Sequence, residues 1–121
     1  MSAKEIQKLI DSYHYWDARV IQLNCDYFAD ETELIYKDEE FFIVYRFVGC
    51  YKSHFDHDEK YNKDYPVREM RMPQIPYFLQ KVEVNEKDGE ETNLYICKIN
   101  LYPLYLEIWC KDIQIMKVES I

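Results

Sequence analysis

The run FFIVYRFVGCYKSHF, residues 41–55, sets the architecture of the chain. Residues 41–48 are apolar on both faces of an extended segment, which is typical of a strand that is central in its sheet or covered on both sides. Gly49 then predicts a bulge or a sharp coil, after which residues 50–56 continue in a new direction. We therefore expect a long, bent strand around which the sheet is organised.

Upstream of this strand, the apolar spacing changes from a helical to a strand period. Apolar residues recur every three or four positions within residues 2–14, which predicts a helix with Ser2 as its N-cap. From Asp17 the apolar residues alternate instead, which predicts a strand that ends before a polar turn at residues 29–31. A short strand, Glu33–Lys37, then leads into the long one.

Downstream, residues 56–76 are charged and hold three of the four prolines, so we expect a surface excursion between strands. Two further strands flank Asp88-Gly89, a strong hairpin signal. A last strand from Leu104 onward alternates up to Cys110 and then shows a possible bulge.

These elements predict an α+β, mostly β fold. It consists of a strongly curved antiparallel sheet or partial barrel of six to seven strands with one N-terminal helix. At 121 residues and 48% hydrophobic content, we expect a single domain over residues 1–121. Aromatic residues make up 17% of the chain, which favours sheet and disfavours disorder.

The charge of the chain bounds its partners. Asp and Glu number 23 against 15 Lys and Arg, a formal net charge of -8. This field repels phosphate backbones and anionic lipid heads, so we expect no direct nucleic-acid or membrane binding. The same field attracts a basic partner, including a nucleic-acid enzyme with a positive substrate groove.

The cysteines predict a reducing compartment. The four have no CxxC spacing and lie in apolar runs, so we expect them to be buried and reduced in the cytoplasm. The first ten residues lack the apolar core of a signal peptide, and no apolar run approaches a membrane-spanning length. The cysteines are Cys25, Cys50, Cys97 and Cys110.

Residues 54–59, HFDHDE, are the most suggestive chemical cluster, with two histidines and three carboxylates. Along an extended segment His54 and His57 point to opposite faces, so we expect a solvated strand end with no metal site. The chain also lacks GxSxG and a glycine-rich phosphate loop, so we expect no nucleophilic catalysis.

The aromatic residues divide into two sets. We expect core or sheet-face packing for those that alternate with aliphatic residues on strands. We expect an exposed aromatic and methionine patch in YPVREMRMPQIPYF, residues 65–78, which continues the excursion to Phe78. In the joint SYHYWDARV, residues 12–20, we expect Tyr13 and Trp16 to wedge the helix onto the sheet. The tyrosines of the first set are Tyr27, Tyr45, Tyr95 and Tyr105.

The joint Tyr15-Trp16-Asp17-Ala18 is an aromatic–Asp–small-residue step between a short helix and an acidic antiparallel sheet. In this arrangement the chain resembles the small immunity proteins of bacterial polymorphic toxin systems of the contact-dependent inhibition type. The resemblance implies a non-enzymatic protein that binds a cognate toxin domain in the cytoplasm, blocks its active site or substrate groove, and needs no cofactor.

Charge and resemblance together predict an inhibitor that neutralises a toxin domain, a basic nuclease being one such target. The alternative is a small-ligand carrier whose curved sheet encloses a cavity lined by Phe and Tyr. A third class is an enzyme that uses His54, His57 and nearby carboxylates. The predicted partner-binding residues are Asp56, Asp58, Glu59, Tyr61, Tyr65 and Tyr77.

Overall fold

A computed structural model describes residues 1–87 and 94–120, which form one α-helix and six β-strands in a single antiparallel sheet. The strand order is β1-β2-β3-β6-β5-β4, and the predicted mostly β fold with one helix and a curved antiparallel sheet is confirmed. The predicted turn at Asp88-Gly89 lies outside the described residues, although the strands before and after it pair with each other. The elements are α1 (Ala3–Ser12), β1 (Val20–Asp26), β2 (Glu31–Asp38), β3 (Phe41–His57), β4 (Lys81–Glu86), β5 (Tyr95–Leu101) and β6 (Leu104–Val118).

Strands β3 and β6 form the centre of the sheet, and β3 is bent where the sequence predicts. Its first half pairs with β2, and its whole length pairs with β6. Gly49 has a φ of +67°, and the register with β6 shifts between Cys50 and Lys52. The predicted bulge is therefore confirmed, and it separates a β3 half beside β2 from a half that continues beyond it.

The sheet curves until its two edges approach each other at one end, but it does not close into a barrel. The segments that lead into the edge strands β1 and β4 meet at an isolated bridge between Arg19 and Phe78. The amide of Leu79 donates to the carbonyl of Ala18 at 2.8 Å, and the amide of Val20 donates to Tyr77 at 2.8 Å. These bonds hold the end of the excursion against the start of β1.

Helix α1 is stabilised at its N-terminus by the predicted capping residue. Ser2 and Glu5 form a capping box in which each side chain accepts the other residue's amide at 3.1 Å. Ile6 and Ile10 are buried against the sheet. The Gln7 side chain donates to the carbonyl of Val82 at 2.9 Å, so the helix also covers part of the edge of β4.

The core contains a pair of buried tyrosines. The rings of Tyr36 and Tyr45 meet edge to face at 5.6 Å, and neither hydroxyl has a hydrogen-bond partner among the described residues. Burial raises the pKa of Tyr36 to about 12 and raises that of Tyr45 further. Both hydroxyls are thus desolvated, which costs free energy in the folded state.

We expect Tyr45→Phe to raise the free energy of unfolding by about 1 kcal/mol, because the substitution removes a desolvated hydroxyl and keeps the ring. Tyr15→Phe is the matched control with the opposite sign, since the Tyr15 hydroxyl accepts the amide of Val82 at 3.2 Å. Urea titration of both variants measures the effect. A destabilised Tyr45→Phe would show that the two core hydroxyls bond to each other.

Several predicted positions are wrong. Cys25 is exposed, because it lies in the exposed second half of the edge strand β1. Tyr27 lies in the turn after β1 and Tyr105 on the outer face of β6, and both are exposed. Trp16 is 73% exposed, so it does not wedge the helix, whereas Tyr13 packs against the core as predicted and Tyr15 does so beside it.

The prediction that the cysteines are buried is confirmed for two of the four. Cys97 and Cys110 are buried, Cys50 is half-buried, and all four cysteines are free thiols. Burial raises the pKa of the Cys110 thiol to about 12, so this thiol is poorly reactive at neutral pH. Among the described residues, no helix has the length and apolarity needed to cross a bilayer.

Candidate functional site

Three exposed tyrosines stand together where β3 ends and β5 turns into β6. The ring of Tyr102 lies 5.8 Å from that of Tyr61 and 6.3 Å from that of Tyr105, with both contacts edge to face. All three rings remain accessible to solvent. Aromatic pairs in this geometry support one another and keep the rings in place. We call these three residues the tyrosine ladder.

Backbone bonds position the tyrosine ladder on the sheet. The amide of Asp58 donates to the carbonyl of Pro103 at 2.8 Å, which ties the start of the excursion to the turn between β5 and β6. The amide of Tyr61 then donates to the carbonyl of Asp58 at 3.0 Å. Tyr105 lies on β6 directly opposite Asp56 on β3. The end of β3, the start of β6 and the turn between β5 and β6 thus position the tyrosine ladder.

Carboxylates surround the ladder. Asp56 and Glu59 are exposed, whereas Asp58 is half-buried and its carboxylate accepts the amide of Lys60 at 3.0 Å. Tyr65 is exposed and lines a shallow cleft together with Tyr61. We call the combined set the tyrosine–acid surface. It consists of Asp56, Asp58, Glu59, Tyr61, Tyr65, Tyr102 and Tyr105.

The structure places Tyr77 inside the fold. The residue is 8% exposed, and its hydroxyl lies 3.1 Å from Nε2 of His57. Desolvation, aided by the charge of Lys63, lowers the pKa of His57 below its usual value. Tyr77 therefore joins the end of the excursion to β3, and its buried ring offers little surface to a partner.

The two histidines point to opposite faces of β3, as strand alternation predicts. His57 contacts Tyr77 on the core side, whereas His54 lines a cleft of about 360 Å³ on the outer face together with Glu107 and Lys98. In the part of the chain that the structure describes, no three metal-ligating side chains gather as a possible metal site.

In the outer cleft, the Glu107 carboxylate is held by two neighbouring side chains. The indole of Trp109 donates to the Glu107 carboxylate at 2.8 Å, and Lys52 lies 3.2 Å from the same oxygen. These contacts, that from Trp109 first, lower the pKa of Glu107. A carboxyl group held ionised in this way is a poor general acid at neutral pH. Asp56 and Tyr105 also line the cleft, so it adjoins the tyrosine–acid surface.

Sequence reasoning missed two members of this surface. Tyr102 stands before Pro103 at the end of a strand, and Tyr105 alternates with Leu104 and Leu106, a pattern that predicts sheet packing. The alternation of side chains along a strand could have identified Tyr105. Leu104 and Leu106 lie on the core face, so Tyr105 between them lies on the opposite face. The contact between Tyr102 and Tyr61 joins residues far apart in sequence.

A curved antiparallel sheet with an exposed aromatic and acidic surface defines a protein suited to binding another protein. The sequence matches the family described as Immunity protein PIM7 over residues 2–117, and the chain belongs to that family. It therefore has a toxin-neutralising immunity role and a toxin protein as its partner; families of this kind are generally non-enzymatic. Among curated proteins, no relative of the chain was found.

Proposed function

We propose that this immunity protein neutralises a basic toxin domain, such as a nuclease, by covering its substrate groove with the tyrosine–acid surface. It does so in the cytoplasm, without a cofactor and without catalysis. The observation that carries the proposal is the tyrosine ladder, which leaves three large rings exposed beside carboxylates. Tyrosine buries a large area at an interface and keeps a polar tip for hydrogen bonding.

The charges support a basic partner. Asp56, Asp58, Glu59 and Asp64 outnumber Lys60 and Lys63 in the segment that begins this surface, and the whole chain carries -8. A nuclease groove is positive because it binds phosphates. An acidic surface would therefore reach it faster and would compete with the substrate.

The geometry gives less support to a small-ligand carrier. The concave face is occupied by fully buried side chains such as Tyr45, Phe47 and Ile108. An apolar groove between Val20 and Leu104 has a volume of about 190 Å³. Ligand pockets usually measure roughly 300–1,000 Å³, so this groove is small for a carrier. The outer cleft of about 360 Å³ is within that range, but its lining includes charged side chains such as Lys81, Glu83 and Lys98 and differs from the predicted cavity lined by Phe and Tyr.

The proposal predicts different kinetic effects for charge and for aromatic variants. Measured against the product of the adjacent gene, Asp56→Lys with Glu59→Lys should slow association about tenfold at low salt, with little change in dissociation. Tyr102→Ala should instead speed dissociation and weaken the free energy of binding by about 2 kcal/mol, the loss expected for a hot-spot residue. Surface plasmon resonance at two salt concentrations separates the two effects. We leave Asp58 unchanged because its carboxylate supports the local turn.

The matched control is Glu39→Lys with Glu40→Lys, which alters the net charge equally in the turn between β2 and β3. That turn lies at the other end of β3, so the control should slow association much less. An equal effect would mean that only net charge matters. If the neighbouring product neither binds nor is toxic when expressed alone, the inhibitor proposal fails and the carrier becomes the better candidate.

A further inference from the structure

The turn between β1 and β2 has an unusual conformation. Its residues Tyr27, Phe28 and Ala29 have φ values of +53°, +57° and +69°. Side chains other than glycine and asparagine seldom occupy this left-handed region, and three in succession are rarer still. Tyr27 is 73% exposed and Phe28 is fully exposed. We call these three residues the aromatic tip.

The aromatic tip brings the fold little benefit. Each left-handed residue costs free energy relative to Asn or Gly, and a fully exposed ring gains no burial. A four-residue connection between Asp26 and Glu31 could be made by smaller residues with less strain. Residues with strained backbone dihedral angles cluster at functional sites, where they position side chains for a ligand.

The tip is held in place rather than hanging from the sheet. The amide of Cys50 donates to the carbonyl of Asp30 at 2.9 Å, and the amide of Asp30 donates to the carbonyl of Tyr27 at 3.1 Å. The loop is thus fixed to β3 beside its bend at Gly49. A rigid presentation lowers the entropy lost when the rings become buried at an interface.

The strands that carry the tip are acidic, and the basic side chain that lines the cleft beside Tyr27 is that of Arg46. Residues 20–36 include four carboxylates and no Lys, Arg or His. Glu33 forms an ion pair with Arg46 at 2.8 Å, which leaves three of these carboxylates beside the rings. An apolar tip inside an acidic collar complements an apolar pocket inside a basic rim. The three are Asp26, Asp30 and Glu31.

We propose that the aromatic tip is a second contact with the toxin domain, in which Phe28 and Tyr27 insert into an apolar pocket rimmed by basic side chains. The inference rests on the proposed function. Cys50, beside the tip, and His57, beside the tyrosine–acid surface, are seven residues apart on β3, or about 23 Å. A standard interface of roughly 800 Å² on each partner is wide enough to span such a distance.

The test replaces the aromatic tip by residues that suit its backbone, in the variant Tyr27→Asn with Phe28→Gly. We expect its melting temperature to equal or exceed that of the wild type, because Asn and Gly tolerate the left-handed region. Affinity for the neighbouring toxin domain, inactivated and measured by calorimetry, should fall at least tenfold. The combination of unchanged stability and lost affinity separates a binding role from a structural one.

Trp16→Ala is the matched control, since Trp16 is an equally exposed aromatic residue at the other end of β1. It should change affinity less than twofold. Effects of the tip variant and of Tyr102→Ala should add, because distant sites act independently. If the wild type does not bind, the proposed function fails; if it binds and the tip variant binds equally, only this inference fails. Tip-dependent sedimentation with phosphatidylcholine vesicles, at unchanged toxin affinity, would also overturn it.

Discussion

Replacing Phe47 by alanine should lower the free energy of unfolding by about 3–5 kcal/mol, the usual cost of removing a buried aromatic ring. Phe47 is fully buried in the centre of the sheet, with Thr32 of β2 on one side and Ile113 of β6 on the other. Strands on both sides limit how far the backbone can move to fill the cavity. A loss of this size is a large fraction of the stability of a small domain.

Urea denaturation of Phe47→Ala and Phe55→Ala tests this prediction. Phe55 lies on the same strand but is exposed, so its truncation should cost much less, about 1 kcal/mol. Equal losses would show that the second half of β3 is packed as tightly as the first. Phe47→Ala should also reduce protection in cells through lower abundance, while the folded protein keeps its affinity for the toxin.

The sequence was most informative where burial and local geometry agree. The apolar residues 41–48 predicted a strand that is central in its sheet or covered on both sides, and this part of β3 is central, with β2 on one side and β6 on the other. Ser2 and Glu5 predicted the helix start, since a capping box is a local interaction. The possible bulge predicted after Cys110 is wrong, because β6 is continuous and the extra residue of the register shift lies in β3, although the alternation of burial does change between the buried residues Cys110 and Ile113.

The sequence was least informative about the candidate surfaces. Asp56, Asp58, Glu59 and Tyr61 were selected from an acidic segment, but their neighbour Tyr102 comes close only through the sheet topology. The aromatic tip carries no glycine or asparagine to indicate left-handed residues, so the alternating pattern through Tyr27 predicted a continued strand. A conformation that opposes local preference cannot be predicted from those preferences.

Gly49→Val should lower the free energy of unfolding by about 2–3 kcal/mol. Gly49 has a φ of +67°, where a β-branched residue is strained, and a Cβ there would lie 3.3 Å from Cβ of Lys111. Lys111 belongs to the neighbouring strand β6, so the contact cannot be relieved by a side-chain rotation alone. The substitution therefore opposes the bend in β3, and urea denaturation measures the cost.

The bend also determines how the two proposed contacts are arranged, because Gly49 separates the β3 half that holds the aromatic tip from the half that ends at the tyrosine–acid surface. A valine that straightens the strand should weaken toxin binding even for the folded fraction, and calorimetry at a temperature where the variant is folded can measure this. Gly49→Asn is the matched control, since it places the same Cβ beside Lys111 but tolerates the left-handed region, so it should cost less than Gly49→Val and the difference measures the strain of the β-branched residue. If Gly49→Val lost stability but kept full affinity, the toxin would not need both surfaces in their present arrangement.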